Sequence, residues 1–315
     1  MKIGIVGAGA MGSVYGGILG DAGNEVWLLD VWKDHVEAIR QRGVRVEGAS
    51  GDRTVRVNAT LDAREAGACE LVVVATKAMD TEAAVENARP MIGPDTLVLT
   101  IQNGLGNAER MERLVGPKNL LVGIAGGFGA SVVAPGHVHH NGWEAIHLGE
   151  LTGGITDRLD RIAEVWKKAG FRVRVFDDIQ PLIWGKLIGN VGFSAICTIT
   201  GLRVGQVLDN RWASSVMEAN VREAFAVAQA KKIKLSYDDP VAWIREFGAK
   251  IPNAQPSMLQ DVLAGRRTEI DSLNGAVVRE AELLGIPAPM NHAVTRLVKA
   301  LEEKVRAVGR VYGVI

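Results

Sequence analysis

A glycine-rich segment near the amino terminus is the first part of the chain whose residue types and spacing suggest chemistry. The segment reads Gly7-Ala8-Gly9-Ala10-Met11-Gly12 and lies between the apolar run Ile3–Val6 and a helix-like stretch. In such a turn Gly7 permits a tight bend, Gly9 leaves no side chain between the backbone and a phosphate, and Gly12 lets the helix pack on the strand. The six residues therefore predict the pyrophosphate-binding turn of a dinucleotide site.

Asp30 follows the second strand-like run, Glu25–Leu29, about 20 residues after the glycines. A carboxylate there accepts hydrogen bonds from the adenosine ribose hydroxyls and repels a 2′-phosphate, so Asp30 favours NAD over NADP. Two alternatives stay open. Asp30 could be only a solvated residue at a strand end, and the neighbouring cations of Lys33 and Arg40 could offset its charge and admit NADP.

Further polar residues come after later strands and along one apolar helix. Lys77 and Asn103 follow the third and fourth strand-like runs, where the ligands of a doubly wound sheet collect, although each also suits an ordinary solvent-facing turn. Lys186, Asn190 and Ser194 recur every four residues, so they share one helix face. Because an unpaired lysine is costly among apolar neighbours, we expect this stripe to face a polar cleft.

A second polar block lies in the last quarter of the chain. It consists of Ser257–Asp261 followed by Arg266–Gly275, and the latter segment holds Glu269. Spacing alone favours a capped and salt-bridged helix start for this block rather than a site.

Strand-like runs alternate with helical segments in the first half of the chain. The runs are Ile3–Val6, Glu25–Leu29, Leu71–Ala75, Thr96–Ile101 and Asn119–Ile124, with helices near 10–22, 33–42, 80–92 and 106–115. This alternation predicts a parallel sheet covered on both faces. Residues 44–60 predict a small antiparallel hairpin, and 137–149 predict a similar one, before a helix near 154–169 and a strand at 172–176.

After residue 177 the pattern changes to helices almost without strands. They are predicted near 179–200, 210–232, 239–248, 257–264, 266–285 and 289–309. We therefore predict an α/β fold in which a Rossmann-type dinucleotide-binding domain (1–177) precedes an all-helical domain (178–309) and a short tail (310–315).

Composition limits the classes of function. Acidic and basic residues each number 36 in 315 residues, so charge gives no general reason to expect nucleic acid or an anionic membrane as a partner. The uncharged run Ile3–Gly20 imitates a signal peptide but carries the phosphate-loop glycines, and no other stretch is expected to approach the length of a membrane span.

Cysteine and histidine usage indicates neither disulfides nor a metal. Cys69 and Cys197 lie far apart beside apolar sequence, which fits a reducing cytoplasm. Four histidines lie close together in the sequence, but no cysteine or suitably spaced acid completes a ligand set, so we expect no metal site at His137, His139, His140 and His147.

Taken in order, these motifs closely resemble the ketopantoate reductase family over about residues 1–305. The resemblance rests on the glycine turn, Lys77, Asn103-Gly104, Trp184-x-Lys186-x-x-x-Asn190, Ser257-Met258-Leu259-Gln260-Asp261 and Thr268-Glu269-Ile270-Asp271-x-x-Asn274-Gly275. It implies hydride transfer between a nicotinamide cofactor and a 2-oxo or 2-hydroxy acid, such as 2-dehydropantoate and pantoate, with the helical domain holding the substrate.

The same resemblance implies roles for individual residues. Lys186 resembles the general acid of the family and Glu269 its partner at the emerging hydroxyl. Asn103 and Asn190 resemble groups that hold cofactor and substrate oxygens, and Ser257 resembles the hydroxyl that meets the substrate carboxylate. Lys77 resembles the lysine that lines the cofactor cleft. A homodimer is left open.

Two departures from the family pattern bear on specificity. Asp30-Val31 stand where NADPH-dependent members commonly place an arginine, which favours NAD. Ser194 stands where the family helix often has another asparagine, which predicts a weaker substrate contact and a 2-oxo acid related to 2-dehydropantoate. Two other functions fit parts of the sequence, that of a 3-hydroxyisobutyrate-type β-hydroxyacid dehydrogenase and that of a nucleotide-sensing protein without turnover. The first has no reason to carry the block from Ser257 to Glu269, and the pair of Lys186 and Glu269 disfavours the second.

Overall fold

The computed structural model describes residues 1–127, 129–142 and 145–312, with side chains described up to residue 307. The chain forms two compact units. The first comprises Met1–Gln102 and Asn107–Ile179, and the second comprises Asn103–Gly106 together with the chain from Gln180 onwards. The α/β class with a following helical part is confirmed. The units divide two residues after the boundary predicted at 177, and the second unit includes a four-residue segment from the first half of the chain.

The described residues of the first unit form twelve strands. They are β1 (Lys2–Val6), β2 (Glu25–Leu29), β3 (Val44–Gly48), β4 (Arg53–Val55), β5 (Asn58–Thr60), β6 (Leu71–Val74), β7 (Leu97–Thr100), β8 (Leu120–Gly126), β9 (Gly129–Ala134), β10 (His137–Gly142), β11 (Ala145–Gly149) and β12 (Val173–Phe176). Eight of them form the main sheet in the order β12-β11-β8-β7-β6-β1-β2-β5. The neighbouring strands β8, β7, β6, β1, β2 and β5 all run parallel to one another. By contrast, β11 runs antiparallel to β8 and parallel to β12.

The main sheet is buried on both faces, as its apolar central strands require. In β6, Leu71 and Val73 join one hydrophobic cluster and Val72 and Val74 join another. Successive side chains of a strand point to opposite faces, so a continuous apolar run is stable only where both faces are covered.

The second sheet, in the order β4-β3-β10-β9, corrects one prediction. The β3–β4 hairpin is antiparallel as predicted, although 58–60 join the main sheet as β5. Residues 137–149 are not a second hairpin. His137–Gly142 pairs with β3 and β9, and Ala145–Gly149 pairs with β8 and β12. Alternating residues identify strands but leave their partners undetermined, because pairing is set by distant segments.

The helices of the first unit are α1 (Ala10–Asp21), α2 (Lys33–Arg42), α3 (Ala63–Ala66), α4 (Thr81–Asn87), α5 (Asn107–Val115) and α6 (Asp157–Lys168). Those of the second are α7 (Gln180–Thr200), α8 (Val204–Asp209), α9 (Arg211–Ala230), α10 (Pro240–Lys250), α11 (Ser257–Leu263), α12 (Asn274–Leu284) and α13 (Pro289–Tyr312). The helix predicted at 80–92 is shorter because Arg89–Met91, which contains Pro90, forms a separate 3₁₀ turn. Residues 310–312, predicted as tail, belong to α13, and 313–315 lie outside the described residues.

The helix predicted at 266–285 is also divided. Ile270–Ser272 forms a 3₁₀ turn, and α12 begins only after Leu273, whose φ of −105° and ψ of −102° interrupt the helical backbone. The apolar spacing continues across this break because both parts pack on the same core, which contains Ile270 and Val277.

Among the described residues, α7 is the one helix that is long and apolar enough to cross a membrane, contrary to the sequence prediction that no such stretch exists. In the structure 67% of its most apolar window is buried inside the protein. A helix that is apolar on most sides needs such burial, and α7 finds it at the centre of the second unit's core.

Candidate active site

The glycine turn between β1 and α1 is shaped as a phosphate-binding turn requires. Gly7 has a φ of +89°, and a Cβ added there would lie 2.6 Å from Thr76 Cγ2. A Cβ on Gly12 would lie 1.9 Å from the Gly7 carbonyl oxygen, so only glycine fits without a backbone shift. At Gly9, which caps α1, a Cβ would meet nothing within 4 Å. The backbone is thus open at Gly9, and the first turn of α1 carries no acidic residue that would repel an anion.

The turn is braced by two residues that sequence reasoning missed. Ser13 Oγ donates to the Ala8 carbonyl at 2.6 Å and lies 3.0 Å from His35 Nε2, while His35 Nδ1 accepts from the Gly136 amide at 3.2 Å. This geometry assigns the imidazole proton to Nε2. Burial lowers the pKa of His35 and outweighs the opposing charge of Asp30, so the ring is neutral near pH 7. No spacing rule links a helix serine to a histidine 22 residues later.

Asp30 lies at the carboxyl end of β2, as predicted. Its Oδ1 accepts a hydrogen bond from the Trp32 amide at 2.9 Å, which fixes the carboxylate at the turn into α2. Lys33 lies 3.7 Å from Glu37, and Arg40 binds the Ala59 carbonyl and Glu65, each at 2.6 Å. Both cations that could offset Asp30 therefore have other partners.

Lys77 and Gln102 follow the neighbouring strands β6 and β7. Lys77 is half-buried and directly precedes a 3₁₀ turn. Gln102, which sequence reasoning left without a role, donates from Nε2 to the Thr76 carbonyl at 3.0 Å and to Thr81 Oγ1 at 2.9 Å. The side chain of Gln102 thus ties the segment around Lys77 to the end of β7.

In the second unit, Lys186 and Glu269 are opposite charges that act on each other. Lys186 lies on α7 and is half-buried, while Glu269 is 6% exposed just before the 3₁₀ turn at Ile270–Ser272. Burial lowers the pKa of Lys186 to about 8, and the charge of Glu269 partly opposes that shift. An amine with a pKa near neutrality gives up a proton far more readily than an exposed lysine does.

The other predicted residues of this unit differ in their surroundings. Asn190, one helical turn beyond Lys186, is half-buried, whereas Ser194 is 4% exposed and Ser257 is exposed at the start of α11. A serine covered to that extent contacts a substrate only where the surrounding side chains leave room. The structure brings Lys186 and Glu269 together and establishes no comparable contact for Ser194 or Ser257.

Asn103 belongs to the short segment that joins the second unit, and its neighbours pack on the turn after Glu269. The Leu105 amide donates to the Ser272 carbonyl at 2.9 Å, and a Cβ on Gly104 would lie 2.2 Å from that oxygen. The Ser272 amide in turn donates to the Glu269 carbonyl at 2.9 Å. Asn103 is therefore held beside the segment that carries Glu269.

The clustered histidines make ordinary structural contacts. His137 and His139 lie 3.0 Å and 3.5 Å from Glu47 oxygens, and His140 Nδ1 lies 2.9 Å from Ser50 Oγ. His147 packs on the ring of Phe176. In the part of the chain that the structure describes, no group of three or more His, Cys, Asp or Glu side chains could hold a metal ion.

Comparison with known proteins matches both units to one family. Residues 3–153 match the profile described as ketopantoate reductase PanE/ApbA, and residues 178–302 match that of its C-terminal part. The chain belongs to the ketopantoate reductase family. The 2-dehydropantoate 2-reductase of Pyrococcus horikoshii is 33% identical over 303 residues, which cover 96% of this chain and 98% of that one. The enzyme of the same name from Streptococcus pyogenes serotype M18 is 29% identical over the same shares.

Two solved structures extend the family comparison. A PanE/ApbA family ketopantoate reductase from Ralstonia eutropha JMP134 has a TM-score of 0.90 and 34% identity, covering 97% of this chain and all of that one. D-mandelate dehydrogenase in a ternary structure with NADH and anilino(oxo)acetate has a TM-score of 0.90 and 30% identity, covering 97% and 99%. Family membership argues against the 3-hydroxyisobutyrate-type alternative.

Proposed function

We propose that this chain is an NADH-preferring reductase that converts a 2-oxo acid to the 2-hydroxy acid, reversibly. The observation that carries the proposal is the pairing of Lys186, whose pKa is lowered to about 8 mainly by burial, with the buried carboxylate of Glu269. A protonated amine that is easily deprotonated suits a general acid for a ketone oxygen.

The proposed reaction is the reduction of a ketone by one hydride and one proton. The nicotinamide, when bound, supplies a hydride to the carbonyl carbon of the substrate. Lys186 Nζ polarises the carbonyl oxygen and donates one proton to it, so the C=O double bond becomes CH–OH and the lysine is left neutral. Solvent then returns the proton to Lys186. Glu269 stabilises the charged amine, and Asn103, Asn190, Ser194 and Ser257 are proposed to hold substrate oxygens.

Residues of the first unit fit a dinucleotide. The open backbone at Gly9 and the positive φ of Gly7 suit a pyrophosphate at the start of α1, with Ala8, Ala10, Met11 and Gly12 completing the turn and Lys77 near the nicotinamide end. Asp30 would accept the ribose hydroxyls. Arg40 binds the Ala59 carbonyl and Glu65 rather than Asp30, which supports NADH over NADPH.

The choice of 2-oxo acid is the finer part of the proposal. The sequence relatives named above are 2-dehydropantoate 2-reductases, and the D-mandelate dehydrogenase has the same TM-score, 0.90, as the ketopantoate reductase from Ralstonia eutropha. Ser194 favours a related acid over 2-dehydropantoate, since a short and covered hydroxyl reaches less far than an amide.

Initial-rate kinetics test the function directly. We would measure reduction of 2-dehydropantoate, phenylglyoxylate and pyruvate, each with NADH and with NADPH. The proposal expects turnover of at least one acid, with the higher kcat/KM for NADH. Absence of turnover across the panel would revive the non-catalytic nucleotide sensor, and a preference for NADPH would contradict the role of Asp30.

A double substitution tests the role of Asp30 in cofactor choice. A 2′-phosphate within about 4 Å of a carboxylate costs about 1–4 kcal/mol, or roughly fivefold to nearly a thousandfold in kcat/KM. Asp30→Ala combined with Val31→Arg should therefore raise kcat/KM for NADPH and lower it for NADH. Asp34→Ala removes an exposed carboxylate from the first turn of α2 and serves as the control.

Location and assembly stay predictions. The thiols of Cys69 and Cys197 are both free and buried, which fits the expected cytoplasmic location. A homodimer is proposed from the family resemblance, and sedimentation of the purified protein would test it.

A further inference from the structure

A buried carboxylate on the last helix contacts the segment that carries Glu269. Glu302 lies on α13 and is 7% exposed, and its Oε1 accepts a hydrogen bond from the Thr268 amide at 2.6 Å. Thr268, the residue directly before Glu269, is itself 2% exposed. A charge-assisted bond to a buried amide is among the stronger hydrogen bonds in proteins, so Glu302 restrains the backbone at this point.

A second contact from α13 reaches the other end of the same segment. Lys299 Nζ lies 2.7 Å from Asp271 Oδ1, but both side chains are about half exposed, and exposed ion pairs contribute little. Lys299 and Glu302 are three residues apart and lie on one face of α13. Of the two contacts from α13, the bond from Glu302 is therefore the one closer to Glu269, whose own carbonyl accepts from the Ser272 amide on the other side.

Charged side chains of α13 and of the turn pair with one another beside Thr268 and Glu269. Glu269 is the charge that raises the pKa of Lys186 against the effect of burial. Glu302 has Arg306 Nη2 at 3.7 Å on its own helix, and Asp271 of the turn pairs with Arg267 and with Lys299 of α13. Arg306, Arg267 and Lys299 are exposed side chains, whereas Glu302, like Glu269, is buried.

We propose that Glu302 is a positioning residue: by holding the Thr268 amide, it fixes where the Glu269 carboxylate lies relative to Lys186. Its effect on turnover rests on the proposed function, whereas its effect on the ionisation of Lys186 does not. Displacing a catalytic partner by about 1 Å can cost about a hundredfold in rate, so a modest shift at Thr268 is enough to matter.

Three substitutions separate the hydrogen bond from the charge. Glu302→Leu removes the acceptor. Glu302→Gln keeps an acceptor oxygen of the same reach and removes the charge. Glu303→Gln alters the exposed neighbour on α13 and is the control. We expect Glu302→Leu to lower kcat about tenfold or more while leaving the KM for NADH unchanged. Glu302→Gln and the control should stay close to wild type.

The readout independent of turnover is the pKa of Lys186. It is measured by competitive acetylation with acetic anhydride across a pH series, followed by mass spectrometry of the peptide that contains Lys186. In Glu302→Leu the carboxylate of Glu269 is expected to act less strongly on the amine, so the labelling midpoint should move to lower pH. In Glu302→Gln the midpoint should not move.

The proposal is overturned if Glu302→Leu folds but keeps wild-type kcat and the wild-type labelling midpoint of Lys186. It is also overturned if Glu302→Gln moves that midpoint as far as Glu302→Leu does. If the leucine variant fails to fold, Glu302→Asp replaces it, because it keeps the charge but shortens the reach to Thr268. Glu302→Asp with both readouts at wild-type values then overturns the proposal. If the wild type reduces no 2-oxo acid, the proposed function fails, and the labelling midpoint still decides the role of Glu302.

Discussion

At the scale of single residues, the proposed chemistry depends most on Lys186. Its position on a four-residue stripe is visible in the sequence, because helical spacing alone places Lys186 and Asn190 on one face. The role of Glu269 is implied by the family resemblance, since spacing favours a helix cap. No sequence pattern indicates Glu302, because its partner is a backbone amide 34 residues away, and such a bond does not depend on the partner's residue type.

Replacing Lys186 with alanine should remove the proton donor. We expect kcat for the reduction to fall by at least about a hundredfold, the usual contribution of a general acid, with NADH affinity little changed. Steady-state rates and NADH titration by fluorescence measure the two effects, and Lys250→Ala, at an exposed ion pair on α10, is the control. Near-wild-type turnover would remove Lys186 from the mechanism.

The pKa of Lys186 predicts opposite pH profiles for the two directions. Lys186 is protonated below about pH 8, so reduction should decline as the pH rises through about 8, while oxidation of the hydroxy acid, which needs the neutral amine, should increase. Glu269→Gln removes the charge that raises this pKa, so both limbs should move to lower pH and kcat should fall. Glu282→Gln, on the exposed side of α12, provides the comparison. Limbs that stay in place would show that the charge of Glu269 does not act on Lys186.

At the scale of elements, the sequence predicts best where the local pattern is complete by itself. The residues of the β1 strand, the glycine turn and α1 are enough to predict these elements, and the predicted bounds are nearly those observed. The strand partners of 137–149 and the division of 266–285 were wrong, because both depend on contacts with distant segments. The apolar period of a helix persists through a 3₁₀ turn whenever the same core lies beneath it.

The glycine turn yields a contrast between two substitutions. Gly12→Ala would force a methyl group against the Gly7 carbonyl, so it should lower the free energy of unfolding by about 1–3 kcal/mol. Gly9→Ala meets open space and should leave stability nearly unchanged, yet weaken NADH binding because the methyl group stands where a phosphate would approach. Urea unfolding and NADH titration compare the variants. Wild-type NADH affinity in Gly9→Ala would place the pyrophosphate elsewhere.

At the scale of the whole molecule, cofactor binding should increase the stability of the folded protein. A ligand at 100 times its Kd stabilises the native state by about 2.7 kcal/mol, so saturating NADH should raise the Tm. An equal concentration of NADPH should raise it less, since Asp30 disfavours the phosphate. Differential scanning fluorimetry measures both shifts without any substrate, and Gly9→Ala should blunt both. Equal shifts for the two cofactors would show that Asp30 does not discriminate.

The pairing of Leu105 with Ser272 has a consequence for synthesis. Translation at 5–20 residues per second adds Ser272 roughly 10–30 s after Leu105, so the segment 103–106 leaves the ribosome long before the backbone it binds exists. During that interval the segment, which lies between β7 and α5, lacks the hydrogen bond to Ser272. Nascent chains stalled before residue 272 should therefore be cut by protease at 103–106, and chains released at full length should resist cleavage there.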